Sequence, residues 1–291
     1  MTTSDETRGT VEPEWRTWIG RTERRSDRVT AAPVAGLAAT LDRNDPTPKE
    51  GDALPPLWHW LYFLPIDRQS GIGPDGHAKR GGFLPPIPLP RRMWAGGRIT
   101  FTAPLRIGER IERESHIAGV TRKEGRSGPL AFVVVRHAIS GSDGVAIVEE
   151  HDIVYRGEAN AGEPSPTPTP APVDAAWSHE IDPDPVLLFR YSALTFNSHR
   201  IHYDRRYATQ TEGYPGLVVH GPLIATLLTD LLRRALPGRR VSAFSFRAIS
   251  PLFDGASFFV RGQPAHDGTS VRLWAANTHG ALAMDATATL A

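Results

Sequence analysis

The chain has 291 residues, with 33 Lys+Arg against 32 Asp+Glu for a formal net charge of +1, and no cysteine. Its length exceeds the commonest domain size of about 100 to 150 residues, so two domains are expected, and the near-neutral charge argues against gripping a nucleic-acid backbone or an anionic membrane by bulk charge. Thiolate metal sites, a cysteine nucleophile and disulfides are excluded. The start, MTTSDETRGTVEPEW, is acidic and polar, unlike a signal peptide, and no apolar run reaches the length of about 18 residues that spans a bilayer. A cytoplasmic protein without nucleic-acid or membrane partners is expected.

In chain order, PPLWHWLYFLP (55–65) is a short, proline-bounded helix candidate. GGFLPPIPLPRRMWAGG (81–97) carries too many prolines and glycines for a regular element and reads as an ordered loop, lying across a pocket or packed on its own domain. RITFTAPL, ERIERESHIAGV, LAFVVVRHAIS and VAIVEEHDIVYR are rich in β-branched residues and predict strands. GEPSPTPTPAPVD (162–174), with proline at alternate positions, predicts an extended linker. Domains at 1–160 and 185–291, joined by a linker over 161–184, are therefore expected.

HGPLIATLLTDLLRRALPG predicts a buried helix, with Pro222 near its start, apolar residues at helical spacing, Arg233 and Arg234 in the last turns and Pro237-Gly238 as a stop. VSAFSFRAI, ASFFVRG, VRLWAAN and ALAMDATATL follow as strands at hairpin spacing. A helix covered by an antiparallel sheet is an α+β arrangement. A weak repeat, APLRIG at 103–108 and SPLFDG at 250–255, favours a duplicated domain.

Just before the long helix, TFNSHRIHYDRRYA (195–208) concentrates polar and aromatic residues. His199 and His202 have only Asp204 as a near carboxylate, so a catalytic metal is not expected. There is no Gly-x-Ser-x-Gly elbow, and GLAAT and GIGPDG lack the context of a nucleotide fingerprint. What remains is acid–base work by histidine beside a helix N-terminus, where the backbone N–H groups from Gly221 onward can stabilise an oxyanion. Those parts suit addition of water to a double bond conjugated with a thioester.

YSALTFNSHRIHYDRRYA followed by GYPGLVVHGPLIATLL resembles the hydratase motif of the MaoC-like, R-specific enoyl-CoA hydratase family. Together with GGFLPPIPLPRRMWAGG it resembles that family's two-hotdog branch. The resemblance implies an α+β double hotdog, two antiparallel sheets each wrapped around a central helix, with the N-terminal domain shaping the acyl and CoA tunnel and the C-terminal one catalytic. It implies a homo-oligomeric hydro-lyase that needs no metal or redox cofactor, CoA entering only as part of an acyl-CoA substrate. The branch points to a branched dicarboxylic acyl group, as in 3-methylfumaryl-CoA (mesaconyl-CoA) or itaconyl-CoA.

Carried over by position, His202 matches the catalytic histidine and Gly221 the glycine whose N–H meets the thioester oxygen. Asn197 stands where most members have an Asp base, and His199-Arg200 where they have Asn-Pro. His202 is therefore expected to activate water that Asn197 holds, with His199 assisting. Arg200 is expected either to grip the free carboxylate of the acyl group or to pair with Asp204 or a backbone carbonyl. His220 reads as a structural residue orienting the turn, Tyr191, Tyr203 and Tyr207 as packing residues, and His59 and His77 carry no assignment. Arg91 and Arg92 meet CoA phosphates or are solvated. Two other functions fit the same residues: a 3-hydroxyacyl-thioester dehydratase of fatty-acid synthesis, and a silent acyl-CoA-binding subunit.

Overall fold

The structure, a computed structural model, describes residues 14–125, 128–157 and 167–291. The acidic start and the first part of the proline segment (162–166) lie outside the described residues. The chain runs through β1 (Thr22–Arg28), α1 (Ala31–Thr40), β2 (Arg91–Phe101), β3 (Arg110–Gly125), β4 (Gly128–Gly141) and β5 (Gly144–Arg156). It then continues through β6 (Trp177–Ile181), α2 (Pro185–Leu194), α3 (Gly221–Ala235), β7 (Val241–Ala248), β8 (Phe258–Pro264), β9 (Ser270–Asn277) and β10 (Leu282–Leu290). All eight expected strands and the long helix are present.

The strands form one antiparallel sheet of ten, in the order β1-β3-β4-β5-β2-β7-β10-β9-β8-β6. Each half repeats one plan: its first strand at the outer edge, then its third, fourth and fifth, with its second at the middle. The weak sequence repeat is thus one of topology. The two expected sheets join edge to edge into one, because β2 pairs with β7 through Gly96↔Arg247, Gly97↔Phe246 and Ile99↔Phe244. At this seam a Cβ on Gly96 would stand 2.6 Å from Phe246 O, and one on Gly97 2.9 Å from Glu150 O, so the two glycines permit the close approach of β2 to its neighbours.

α3 is wrapped as its composition demands. Leu223 through Leu232 are buried without interruption, and each Leu or Ile withdrawn from water contributes about 2 kcal/mol. Its core is continuous with the other half, joining Val34 and Leu37 of α1 to Leu227, Leu231, Phe244 and Leu273. The end of the helix is tied across the halves by ions. Buried Asp230 accepts from Arg43 at 2.5 Å and Arg234 at 2.7 Å, Asp45 accepts from Arg43 at 2.8 Å and Arg233 at 2.7 Å, and Arg234 also donates to Leu41 O.

Several expectations change. Residues 55–65 form only a short 3-10 turn at Trp58–Leu61, and the helix of the first half is α1, whose Ala- and Gly-rich sequence has too few large apolar residues to display a period. The loop expected at 81–97 becomes a strand at Arg91, immediately after its last proline, because β5 and β7 supply ladder partners on both sides. The strands β1 (TERRSDR) and β6 (WSHEI) are polar because each closes an edge of the sheet, where charge discourages pairing with another chain. Part of the proline segment is bound, with Ala171 donating to Gly280 O and Leu282 to Thr169 O. Gly96→Val should thrust two β-branched methyls into the seam and lower stability by about 3 kcal/mol, read as a fall in the urea midpoint with the m-value preserved.

Candidate active site

The site forms where α2 ends and the chain turns toward α3. Asp184 caps α2, accepting from Leu187 N at 2.7 Å, with Pro185 in the first turn. After the helix Phe196 takes a left-handed φ of 48°, unusual for a large side chain and found where structure imposes it. Asn197 follows, half-buried, its N–H on Ser192 O at 2.8 Å and its Oδ1 accepting from His199 N at 3.0 Å. An aspartate making this same turn would keep a second oxygen as a base. In asparagine that position is an NH2, which donates and cannot take a proton.

His202 ends a 3-10 turn and is 7% exposed. Its Nδ1 donates to Val218 O at 2.7 Å, which sets the tautomer and leaves Nε2 as a bare acceptor. Burial lowers its pKa to about 4, so it is a neutral base at pH 7. His220, the residue before α3, stacks on it with centroids 3.7 Å apart and bonds Ser192 Oγ through Nε2 at 2.8 Å. The buried Nδ1 of His220 has no partner among the described residues. His220 orients the turn as expected, and it also forms a wall of the site. Gly221 opens α3 with its N–H among the first-turn donors that lack an intrahelical acceptor, and its Cβ position faces Trp94 O of β2 at 4.0 Å.

His199 sits edge-on to His202 at 5.4 Å and against His77 at 4.0 Å. Burial, His77 and His202 drive its pKa down to about 2. His77 carried no assignment from sequence, yet it lies in a loop clasped onto this one. Ser198 Oγ donates to Gly76 O at 2.5 Å, Arg200 N to Asp75 O at 2.9 Å and Arg200 Nη1 to Pro74 O at 3.0 Å. Gly76 has φ 91°, and a Cβ there would collide with Ser198 O. Asp75 accepts from both the N–H and Nδ1 of His77, at 3.0 and 2.9 Å. The cues in GIGPDGH were the Asp-Gly turn and the histidine after it, but nothing local indicated what the turn would meet.

Arg200 takes the second of its two expected positions. Its guanidinium grips Asp204 at 2.7 and 3.0 Å, lies 4.2 Å over the Tyr207 ring and ties the loop to Pro74. It is a structural clamp rather than a bare cation in an apolar pocket. Arg92 is the contrasting cation. Hydrogen-bonded to Tyr155 and within electrostatic reach of His77 and His199, it has no carboxylate partner among the described residues. Arg91, its neighbour, instead pairs with Glu212 at 3.6 Å.

A groove of about 260 Å³ leads to Asn197, bordered by Ile72, Phe189, Ser192, Phe196 and Tyr203. Two groups of histidine and carboxylate atoms lie within 4.8 Å of one another, Asp75–His77–His199 and His137–Glu149–His151. In each the carboxylate is already engaged. Asp75 is held by His77, and buried Glu149 by His59 at 3.1 Å and Trp60 Nε1 at 3.0 Å.

A hotdog sheet around a helix whose N-terminus faces a neutral histidine defines a class, and the comparisons place the chain within it. The hydroxyacyl-thioester dehydratase type 2 (Htd2) profile matches residues 57–254, and the chain belongs to that family. It is 52% identical over 278 residues to the mesaconyl-C(4)-CoA hydratase of Chloroflexus aurantiacus, covering 95% of this chain and 98% of that protein. Among solved structures it is similar to a MaoC-like dehydratase from Phytophthora capsici (TM-score 0.67, 13% identity, 95% and 97% of the two chains). A Mycobacterium tuberculosis protein described as a double hotdog also matches (TM-score 0.57, 13% identity, 94% and 96%). The fold is a double hotdog.

The buried histidines make acid lability a property of the site. His199, His202 and His220 have lowered values in the fold, so the unfolded chain takes up protons first as pH falls below about 6.5. Their stabilising contribution is complete above that value and declines as pH falls toward 4. The urea midpoint should therefore drop steadily from pH 7 to pH 5, and a flat midpoint over that range would show that these histidines ionise as readily folded as unfolded.

Proposed function

We propose that the protein reversibly adds water to the double bond of a branched dicarboxylic 2-enoyl-CoA, with mesaconyl-CoA the best candidate. The observation that carries the reading is His202, a neutral imidazole with its tautomer set by Val218 O, held beside the open N-terminus of α3. Nε2 takes a proton from water as the oxygen bonds to Cβ. The π electrons move toward the thioester carbonyl, and the N–H of Gly221 stabilises the enolate oxygen. The NH2 of Asn197 orients the water as a donor, and His199 packs beside it. The relative named mesaconyl-C(4)-CoA hydratase, similar over nearly its whole length, supports the acyl group.

Arg92 is the proposed receptor for the free carboxylate of that acyl group, since Arg200 is held by Asp204. A guanidinium near the histidines that bonds a hydroxyl and has no carboxylate partner among the described residues suits a bidentate carboxylate. Arg92→Met should lower kcat/KM for mesaconyl-C4-CoA by about 100-fold, some 3 kcal/mol for a lost charge-assisted pair, and that for crotonyl-CoA far less. An equal loss on both would remove Arg92 from this role. The family's name favours a second reading, dehydration of 3-hydroxyacyl thioesters of fatty-acid synthesis. Loss of the conjugated enoyl-thioester absorbance, followed across crotonyl-, octenoyl-, itaconyl- and mesaconyl-CoA, decides between them: turnover confined to the last two supports the proposal, and preference for octenoyl-CoA supports the alternative.

A further inference from the structure

The proposed reaction leaves a chemical gap that rests on the reading just given. With Asn at 197, one neutral histidine must both receive a proton and hold the resulting charge. His202 is almost fully buried and stacked on His220, whose partner-poor ring disfavours a cation at 3.7 Å. The carboxylate in its own loop, Asp204, is engaged by Arg200. In the active-site loop, therefore, the lost aspartate has no local substitute.

A carboxylate nevertheless reaches the histidines from the other half of the molecule. Asp75 holds Nδ1 of His77 at 2.9 Å, the His77 ring lies 4.0 Å from His199, and His199 lies 5.4 Å from His202. The array is placed by backbone rather than by chance contact: Arg200 N on Asp75 O, Ser198 Oγ on Gly76 O, and a glycine where any side chain would strike Ser198. We propose that Asp75 and His77 are the charge-offsetting and positioning partner of His202, a carboxylate–imidazole pair supplied by the N-terminal half in place of the missing aspartate.

The pair acts through His199 as a charge-offsetting and positioning unit. As water oxygen bonds to Cβ, one O–H bond breaks and its proton moves to Nε2 of His202. The positive charge this creates is offset across His199 by the Asp75–His77 pair. When the enolate collapses back to the thioester, His202 delivers that proton to Cα. One water is added and every catalytic group ends as it began.

The groups facing His77 set its titration. Asp75 favours the charged ring, while burial and the cations Arg92 and Arg80 oppose it, and His199 and His202 face it from the catalytic loop. His77 is held below the ordinary value for a histidine, with burial the largest cause, and Asp75 stays ionised because the bonds from His77 outweigh its own burial. The pair is thus a neutral imidazole beside a carboxylate in the resting protein, and it carries one negative charge toward the histidines.

The test uses the full chain with mesaconyl-C4-CoA. Asp75→Asn and His77→Gln leave the backbone clasp intact, and circular dichroism checks the fold. Each should lower kcat by about 100-fold while KM moves less than about threefold, and should shift the acid limb of the kcat profile, which a merely structural role would not do. Asn197→Asp placed in the His77→Gln background should recover about tenfold by returning a carboxylate to His202. Single variants with kcat within about twofold of the parent, a loss confined to KM, or a folded double variant with no recovery would each overturn the proposal. If the parent itself hydrates no enoyl-CoA, it is the functional reading that fails.

Discussion

The pairing of β2 with β7 is the constraint on which the rest of the molecule depends. Two half-sheets of identical strand order become one because Gly96 and Gly97 let β2 come within van der Waals limits of Phe246 and Glu150. That seam presents Trp94 O to the start of α3, and the connection leading into β2 carries the 73–77 loop onto the 195–208 loop. An apolar core shared by both halves and the ions joining Arg43 and Asp45 to the end of α3 hold the seam from the other side. Breaking a buried pair such as Arg43–Asp230 strands a charge, so the network resists separation of the halves even though a pair in isolation contributes little.

The two halves share a strand order but not a helix. α3 is long, leucine-rich and followed almost at once by β7, whereas α1 is short and small-sided, and residues 41–90 intervene before β2. A smaller helix leaves room on the first sheet, and that room is filled from the intervening segment. Trp58, His59, Trp60 and Leu61 pack into it, with Trp60 and Trp94 4.9 Å apart, and the same segment delivers Asp75 and His77. The N-terminal half thus brings its intervening segment against the candidate site.

Electrostatically, the site consists of neutral imidazoles in a buried setting. Each histidine lowers its neighbour's affinity for a proton, burial does so more strongly, and the carboxylates that could reverse this are committed to specific partners. Asn197 fits that pattern. Its amide makes the same turn through Oδ1 and adds no charge at that half-buried position.

The sequence by itself determined the eight strands with β-branched cores, the helix α3 and the polar motif that holds His202, because these signals are local: period, turn chemistry and a contiguous motif. It could not show β1 and β6, whose edge positions call for charge, nor α1, whose small residues carry no period. It left Arg200 between two partners, and only the fold chose, by placing Asp204 and the Tyr207 ring around the guanidinium. Asp75 and His77 lie far from His202 in the chain and were unreadable for the same reason. Contacts between distant segments are set by how the two half-sheets join and by where glycine lets backbones touch, and only the tertiary structure decides those.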